Sequence, residues 1–299
     1  ALIYLVRKAN DFEMRRWLAT LSIGAVIYVM LLALFCFLVP DPNSFPWVIR
    51  MPSATNIRQI GNNIGLLAIA PIAILLTSGR TFQLKYIAAI FIIMAFTSWT
   101  GSRATLLGLV VGVGGGILLV KHLTTIRKIL MTSLIACIGV LSSAIFPTPN
   151  SYFGIIRMYK AISEHDDPST GRWQLWADTW QQILESPWIG HGAGRFRNEM
   201  NILYGTEVNH PHNFILQYVY DWGILGGGVA VLLLAMLGME IWRAREAEPI
   251  VRFSALSAFG AICTTAMVDS PLFHPLPIVF ALTLIAPVFV SKQKLQPCQ

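Results

Sequence analysis

The chain has 299 residues, of which 55% are apolar and only 12% are charged. Soluble domains carry roughly 25% charged residues, so this composition excludes a soluble protein and predicts one that is embedded in a membrane. The net charge of +7 does not indicate a nucleic-acid partner, because its distribution along the chain follows membrane topology instead.

Apolar segments of roughly the 20 residues needed to cross a bilayer recur along the whole chain. The eight that qualify or nearly qualify are 17–39, 61–78, 82–100, 104–120, 129–146, 213–240, 251–268 and 272–290. The predicted fold class is therefore all-α, a polytopic transmembrane bundle of about eight helices. The chain begins in mid-pattern without methionine, so we expect it to be the C-terminal part of a longer protein or a trimmed form of one.

The charged residues predict an orientation for these helices. If the N-terminus is cytoplasmic, the inside segments hold 14 of the 22 basic residues but only 5 of the 15 acidic ones, as the positive-inside rule requires. The chain then divides into N-terminal transmembrane helices (1–146), one long outer loop (147–212) and C-terminal transmembrane helices (213–299). In a Gram-negative bacterium this topology predicts an inner-membrane protein with a periplasmic loop.

The periplasmic loop contains one predicted helix. Its large apolar residues lie on a helical spacing: Trp173, Leu175, Trp176, Trp180, Ile183 and Leu184. Gly171 precedes this stretch and Pro187 ends it. Such a pattern is typical of an amphipathic helix that lies on the bilayer surface.

Five outer arginines lie near expected helix ends: Arg58, Arg103, Arg172, Arg195 and Arg197. Guanidinium groups bind phosphate oxygens in bidentate fashion, so together they predict a pocket for an anionic substrate. Arg103 follows Gly101 and Ser102, which allow an anion to approach the backbone. Simpler interpretations stay open, since Arg103 could reach for lipid headgroups and Arg172 could be an interfacial charge among tryptophans.

The stretch His210-Pro211-His212-Asn213 closes the loop. Histidine suits proton transfer near neutral pH, and Asn213 could fix the tautomer of a neighbouring ring. A zinc site is the competing idea, but no carboxylate or cysteine stands at ligand spacing, so we predict no metal. Asp221 could orient a partner or pair with an arginine, whereas Asp269 and His274 are interpreted as structural.

The ordered motifs WTGSR, GRWQLWADTWQQILESPWIGHGAGRF and HPHNFILQYVYDWGILGG resemble those of the O-antigen ligase/polymerase superfamily of bacterial membrane glycosyltransferases. The resemblance covers roughly residues 55–240. It implies that Arg103 and Arg172 hold a pyrophosphate and that His212 is the catalytic histidine. Arg58 and Arg195 are weaker pyrophosphate candidates, and the supporting residues are His210, Asn213 and Asp221. Family members usually have several more N-terminal helices.

The resemblance further implies transfer of a preassembled glycan from undecaprenyl pyrophosphate to lipid A–core. The expected partners are the lipid-linked glycan, the lipid A–core acceptor and membrane lipids. The carrier lipid supplies the activation, so no cofactor is expected. An O-antigen polymerase, a protein O-oligosaccharyltransferase, an anion transporter and a structural scaffold remain as alternatives. The clustering of polar residues on one loop disfavours the transporter, because a transport path would place them along several helices.

Overall fold

The computed structural model describes residues 14–41, 44–47, 51–54, 56–79, 83–120, 123–146, 154, 171–205 and 207–289. Within these ranges the regular elements are helices, apart from one isolated bridge between Met51 and Ala54. The predicted all-helical fold class is confirmed. The part of the predicted loop before Gly171, except for Gly154, lies outside the described residues.

The described residues form ten α-helices. They are α1 (Met14–Leu38), α2 (Ile57–Thr77), α3 (Leu84–Trp99), α4 (Arg103–Leu119), α5 (Ile126–Ser142), α6 (Arg172–Glu185), α7 (Arg195–Tyr204), α8 (Phe214–Arg243), α9 (Pro249–Ala266) and α10 (Pro275–Ile285). A short 3-10 helix, Pro271–Phe273, joins α9 to α10. Each of the eight predicted apolar segments coincides with one of these helices, and α6 and α7 are additional.

Four helices, α1, α2, α8 and α9, are long and apolar enough to cross a membrane. Helices α3, α4 and α10 are apolar but shorter. The chain is therefore a helical membrane protein, whereas the number of eight spans is not confirmed and stays a prediction. The apolar stretches of α1 and α8 are mostly exposed in the folded chain, as expected for surfaces that face lipid.

Helices α4 and α9 pack closely because one face of α4 is made of glycines. Gly108, Gly112 and Gly116 recur every four residues, and a Cβ atom at Gly112 would lie only 2.6 Å from the backbone nitrogen of Ala261. Small residues at this spacing let membrane helices approach each other. These three glycines therefore form a packing face of α4.

Two of the long helices bend at identifiable residues. In α2 the halves Ile57–Leu67 and Ile69–Thr77 meet at Ala68, since Pro71 has no N–H to donate to the carbonyl of Leu67. In α8 the backbone of Gly223 is non-helical, with φ 65° and ψ −175°. The carbonyl of Pro187 accepts a 2.8 Å hydrogen bond from Ile224 there, so the loop after α6 is tied to the break.

A second, small apolar cluster holds α6 and α7 against α8. It consists of Leu175, Ile183, Phe196, Met200 and Tyr220. The predicted helix after Gly171 is confirmed. Its packed face carries Leu175 and Ile183, while Trp173, Trp180 and Leu184 are exposed. The exposed apolar face is the one available to a bilayer.

Candidate functional site

The candidate site lies at one end of the bundle, where four helices begin around the link between α9 and α10. The starts of α2 and α8 are joined to this link through Asn62 and His212, which both contact Asp269. The start of α6 joins it through Arg172, and Ser102, just before α4, binds Asn62. Helix N-termini carry partial positive charge, so the arrangement favours an anion nearby.

Asp269 is the hub of this cluster. Its Oδ1 lies 3.2 Å from Nδ1 of His212 and accepts a 2.9 Å hydrogen bond from the Ser270 backbone, while Oδ2 accepts from Nδ2 of Asn62 at 3.0 Å. Burial by itself raises the pKa of this carboxyl group, but His212, Asn62 and the Arg172 charge outweigh burial and hold the pKa below its ordinary value. Asp269 is therefore an ionised acceptor.

His212 is oriented through its Nδ1 atom. An ionised carboxylate can only accept, so Nδ1 carries the proton in this contact, and whenever the ring is neutral Nε2 keeps its lone pair. The side chain is 33% exposed. The backbone of His212 has a φ of 55°, which is uncommon for a residue other than glycine and costs conformational energy.

The surroundings of His212 hold this strained backbone in place. Asn213 caps α8, because its Oδ1 accepts from the backbone nitrogens of Ile215 and Leu216. The indole of Trp176 on α6 donates to the carbonyl of Pro211 at 2.7 Å. The sequence suggested that Asn213 could fix a tautomer, but the structure gives that contact to Asp269 and uses Asn213 as a helix cap.

Asn62 fixes the hub from the opposite side. Its Oδ1 accepts hydrogen bonds from the hydroxyls of Ser102, at 2.9 Å, and Thr105. The amide nitrogen must then face Asp269, where it donates. Because Ser102 and Thr105 flank Arg103, the Asn62 side chain links the start of α4 to the carboxylate.

Two further histidines border the cluster. His210 lies beside His212 with a ring-centroid distance of 4.6 Å, and its Nε2 is 2.5 Å from the Ser270 hydroxyl. Burial, followed by the charge of His212, lowers the pKa of His210 to about 3, so this ring stays neutral near pH 7. Nε2 of His274 lies 2.7 Å from Nε2 of Gln59. Within the described ranges no three His, Cys, Asp or Glu side chains are arranged to hold a metal ion.

Arg172 and Arg103 bring positive charge to the same place. Arg172, the first residue of α6, is half-buried and donates through Nη1 to the carbonyl of Val268. Burial lowers the pKa of Arg172, while the Asp269 charge raises it and the Arg103 charge lowers it, so the two guanidinium groups and the carboxylate act on one another. With two cations to one carboxylate, the three side chains together keep a positive charge that suits an anion.

The remaining predicted site residues lie either beside this cluster or away from it. Arg58 is half-buried in the first turn of α2, next to Gln59. Arg195 is 65% exposed and forms an ion pair with Glu199 at 3.1 Å. Asp221 accepts a 3.0 Å hydrogen bond from Gln217, further along α8. The structure therefore brings Arg103, Arg172, His210 and His212 together, while the described contacts of Arg195 and Asp221 lie elsewhere.

Sequence reasoning missed the centre of the cluster. The sequence indicates a structural role for Asp269, and it singles out none of Asn62, Gln59 and Ser270. One signal was available for Asp269: an acid between two apolar segments is costly unless it has partners, and it usually marks a functional site. The sequence held no comparable signal for Asn62, because its partners lie 40 and 207 positions away.

Comparison with known proteins finds similarity in the part of the chain that contains most of these site residues. Residues 87–231 match the family described as O-antigen ligase. A curated O-antigen ligase of Pseudomonas aeruginosa is 29% identical over 106 residues, which is 35% of this chain and 25% of that protein. The match thus spans about a quarter of the relative's length. The family match contains Arg103, Arg172 and His212 but ends before Asp269. Together these matches support the resemblance of this chain to the O-antigen ligase-like superfamily.

Proposed function

We propose that this chain catalyses transfer of a preassembled glycan from undecaprenyl pyrophosphate to a sugar hydroxyl of lipid A–core. The observation that carries the proposal is the contact of Asp269 with His212 beside the charges of Arg172 and Arg103. It combines a candidate base with a cationic site for a leaving group. The proposed location is the inner membrane, with this end of the bundle facing the periplasm.

In the proposed reaction the arginines act on the leaving group. The bond between the anomeric carbon of the glycan and the pyrophosphate oxygen breaks, and its electron pair stays on that oxygen. Arg172 and Arg103 then stabilise the charge that develops on the pyrophosphate. Arg172 is held in place by the Val268 carbonyl, so less reorganisation is needed when that charge appears.

His212 acts on the acceptor in the same step. Asp269 holds the proton on Nδ1, so Nε2 can take the proton of the acceptor hydroxyl as its oxygen attacks the anomeric carbon. The imidazolium that forms is stabilised by the ionised Asp269. In this role Asp269 and Asn62 are positioning residues. Arg58, at the start of α2, remains a candidate for a further pyrophosphate contact, and Arg195 a weaker one.

The activity test compares variants in membrane vesicles supplied with lipid-linked glycan and lipid A–core. We expect His212→Ala to abolish transfer while donor binding survives, and Arg172→Lys to lower transfer about 10²–10³-fold, the usual effect of losing one such donor. Arg197→Lys is the matched control, because Arg197 is exposed and pairs with Glu207 on the surface. A chelator is expected to have no effect on the rate.

Near-normal transfer by both Arg103→Ala and Arg172→Ala would refute the pyrophosphate site. Full activity of His212→Ala would move the proposed base to His210, and inhibition by a chelator would require a metal. Expression of each variant is measured beside its activity, so loss of folding is not mistaken for loss of chemistry.

The second candidate is an O-antigen polymerase, which the family resemblance also allows. A deletion strain separates the two. Loss of a ligase leaves polymerised glycan on the carrier lipid, whereas loss of a polymerase leaves lipopolysaccharide capped with a single repeat unit. We expect the first result, and the single-repeat phenotype would assign the chain to the polymerase.

A further inference from the structure

A pocket at the other end of the bundle lies outside the site described above. Helix α4 starts at the site with Arg103 and ends at Leu119, which lies about 24 Å away at about 1.5 Å per residue. Helix α8 also starts at the site and ends near this pocket, and α9 begins there. The cavity has a volume of about 490 Å³.

Two arginines line this pocket. Arg245 lies over the ring of Trp242 at 5.6 Å. Arg252 has a buried Nε atom that makes no hydrogen bond to any described residue. Their like charges are close enough to act on each other. Among the contacts of the described residues, neither forms an ion pair with an acid, in contrast to Arg243, which pairs with Glu240 at 3.2 Å.

The nearest acids in sequence do not neutralise the pair. Glu246 and Glu248 are exposed, and the side chain of Glu248 forms no cap with the start of α9. Two guanidinium groups that converge on one pocket repel each other, and an anion between them removes that cost. The planar forks of arginine match phosphate oxygens.

We propose that this pocket binds a phosphate-bearing anion, and that the source its surroundings favour is the headgroup of an anionic phospholipid. The pocket is walled by Leu119, Val120 and Pro249 as well as Trp242. Leu118 and Trp242 beside it are exposed, at 82% and 42%. A tryptophan next to basic residues at a helix end is typical of the membrane interface, and the apolar wall suits an acyl chain below a headgroup.

The test is thermal unfolding of the purified full chain in a non-ionic detergent. Dioleoylphosphatidylglycerol, dioleoylphosphatidylcholine and inorganic phosphate are added separately. A ligand that binds only the folded state raises the Tm, by an amount that grows with the logarithm of its concentration above the Kd. We expect phosphatidylglycerol to raise the Tm by several degrees more than phosphatidylcholine does, and the double variant Arg245→Gln/Arg252→Gln to lose most of that difference.

The matched control is Arg127→Gln/Arg243→Gln, which removes the same charge at the same end of the bundle from exposed residues outside the pocket. This control variant is expected to keep the wild-type difference in Tm between phosphatidylglycerol and phosphatidylcholine. Stabilisation by millimolar phosphate that depends on Arg245 and Arg252 would support the site but assign it to a free phosphate. Equal losses in the two double variants, or no stabilisation by either anion, would overturn the proposal.

Discussion

The tautomer of the His212 ring is set by a residue 57 positions further along the chain. Asp269 accepts from Nδ1 and thereby leaves Nε2 as the basic atom. Its own second oxygen is occupied by Asn62, whose amide is oriented by two hydroxyls. The donor and acceptor of each hydrogen bond in this network are therefore determined. Such a network restricts the orientations that the His212 ring can adopt.

Replacement of Asn62 by alanine tests this orientation at the residue scale. The variant removes a hydrogen bond to a charged group, worth about 1.5–3 kcal/mol, so we expect the transfer rate to fall about 10- to 100-fold. The pH profile is also expected to move. The Asn62 amide helps to hold the pKa of Asp269 low. Without the amide that pKa rises, so on acidification the variant loses activity at a higher pH than the wild type does.

Asn63→Ala is the matched control for this prediction. Asn63 is also buried on α2, and its Oδ1 makes no hydrogen bond within the part of the chain that the structure describes. Initial rates between pH 4 and pH 8 are compared for both variants and the wild type. If the Asn62→Ala rate is lower at every pH but falls at the same acidic pH as the wild-type rate does, Asn62 supports only the fold.

At the scale of elements, the packing of α4 on α9 decides where Arg103 and Asp269 lie. A leucine at Gly112 would push α4 away from α9, because even a Cβ there lies 2.9 Å from the Cβ of Ala261. Overpacking of this kind costs about 1–3 kcal/mol, so we expect Gly112→Leu to lower both the Tm and the transfer rate. Gly114→Leu is the control, since nothing lies within 4 Å of a Cβ at Gly114. Equal Tm values would contradict the glycine packing face.

At the scale of the whole molecule, the described charges differ between the two ends of the bundle. The end opposite the site carries the basic residues Arg15, Arg16, Lys85, Arg127, Lys128, Arg243, Arg245 and Arg252, and the acids Glu240, Glu246 and Glu248. The site end carries fewer basic residues than acids. By the positive-inside rule we predict that the site faces the periplasm.

Cysteine labelling tests that orientation. The four native cysteines are replaced by serine, and single cysteines are introduced at Asn198, on α7 at the site end, and at Glu246, at the opposite end. Both positions are exposed. An impermeant maleimide applied to spheroplasts is expected to label Asn198→Cys alone. Labelling of Glu246→Cys alone would show that the topology is the reverse of the predicted one. Labelling in lysed cells is the control that both thiols can react.

The sequence by itself determined the helical membrane class and the positions of the apolar helices, and it predicted Arg103, Arg172 and His212 as site residues. These features depend on local composition and on spacing within one helix, which can be read without a partner. Only the tertiary structure decided that Asp269 is the hub, that Asn62 orients it and that Arg195 pairs with Glu199 instead. Those outcomes depend on which helix ends meet. The helix ends are positioned by the close packing of α4 on α9, which are about 150 residues apart in the chain, so no local pattern could predict them.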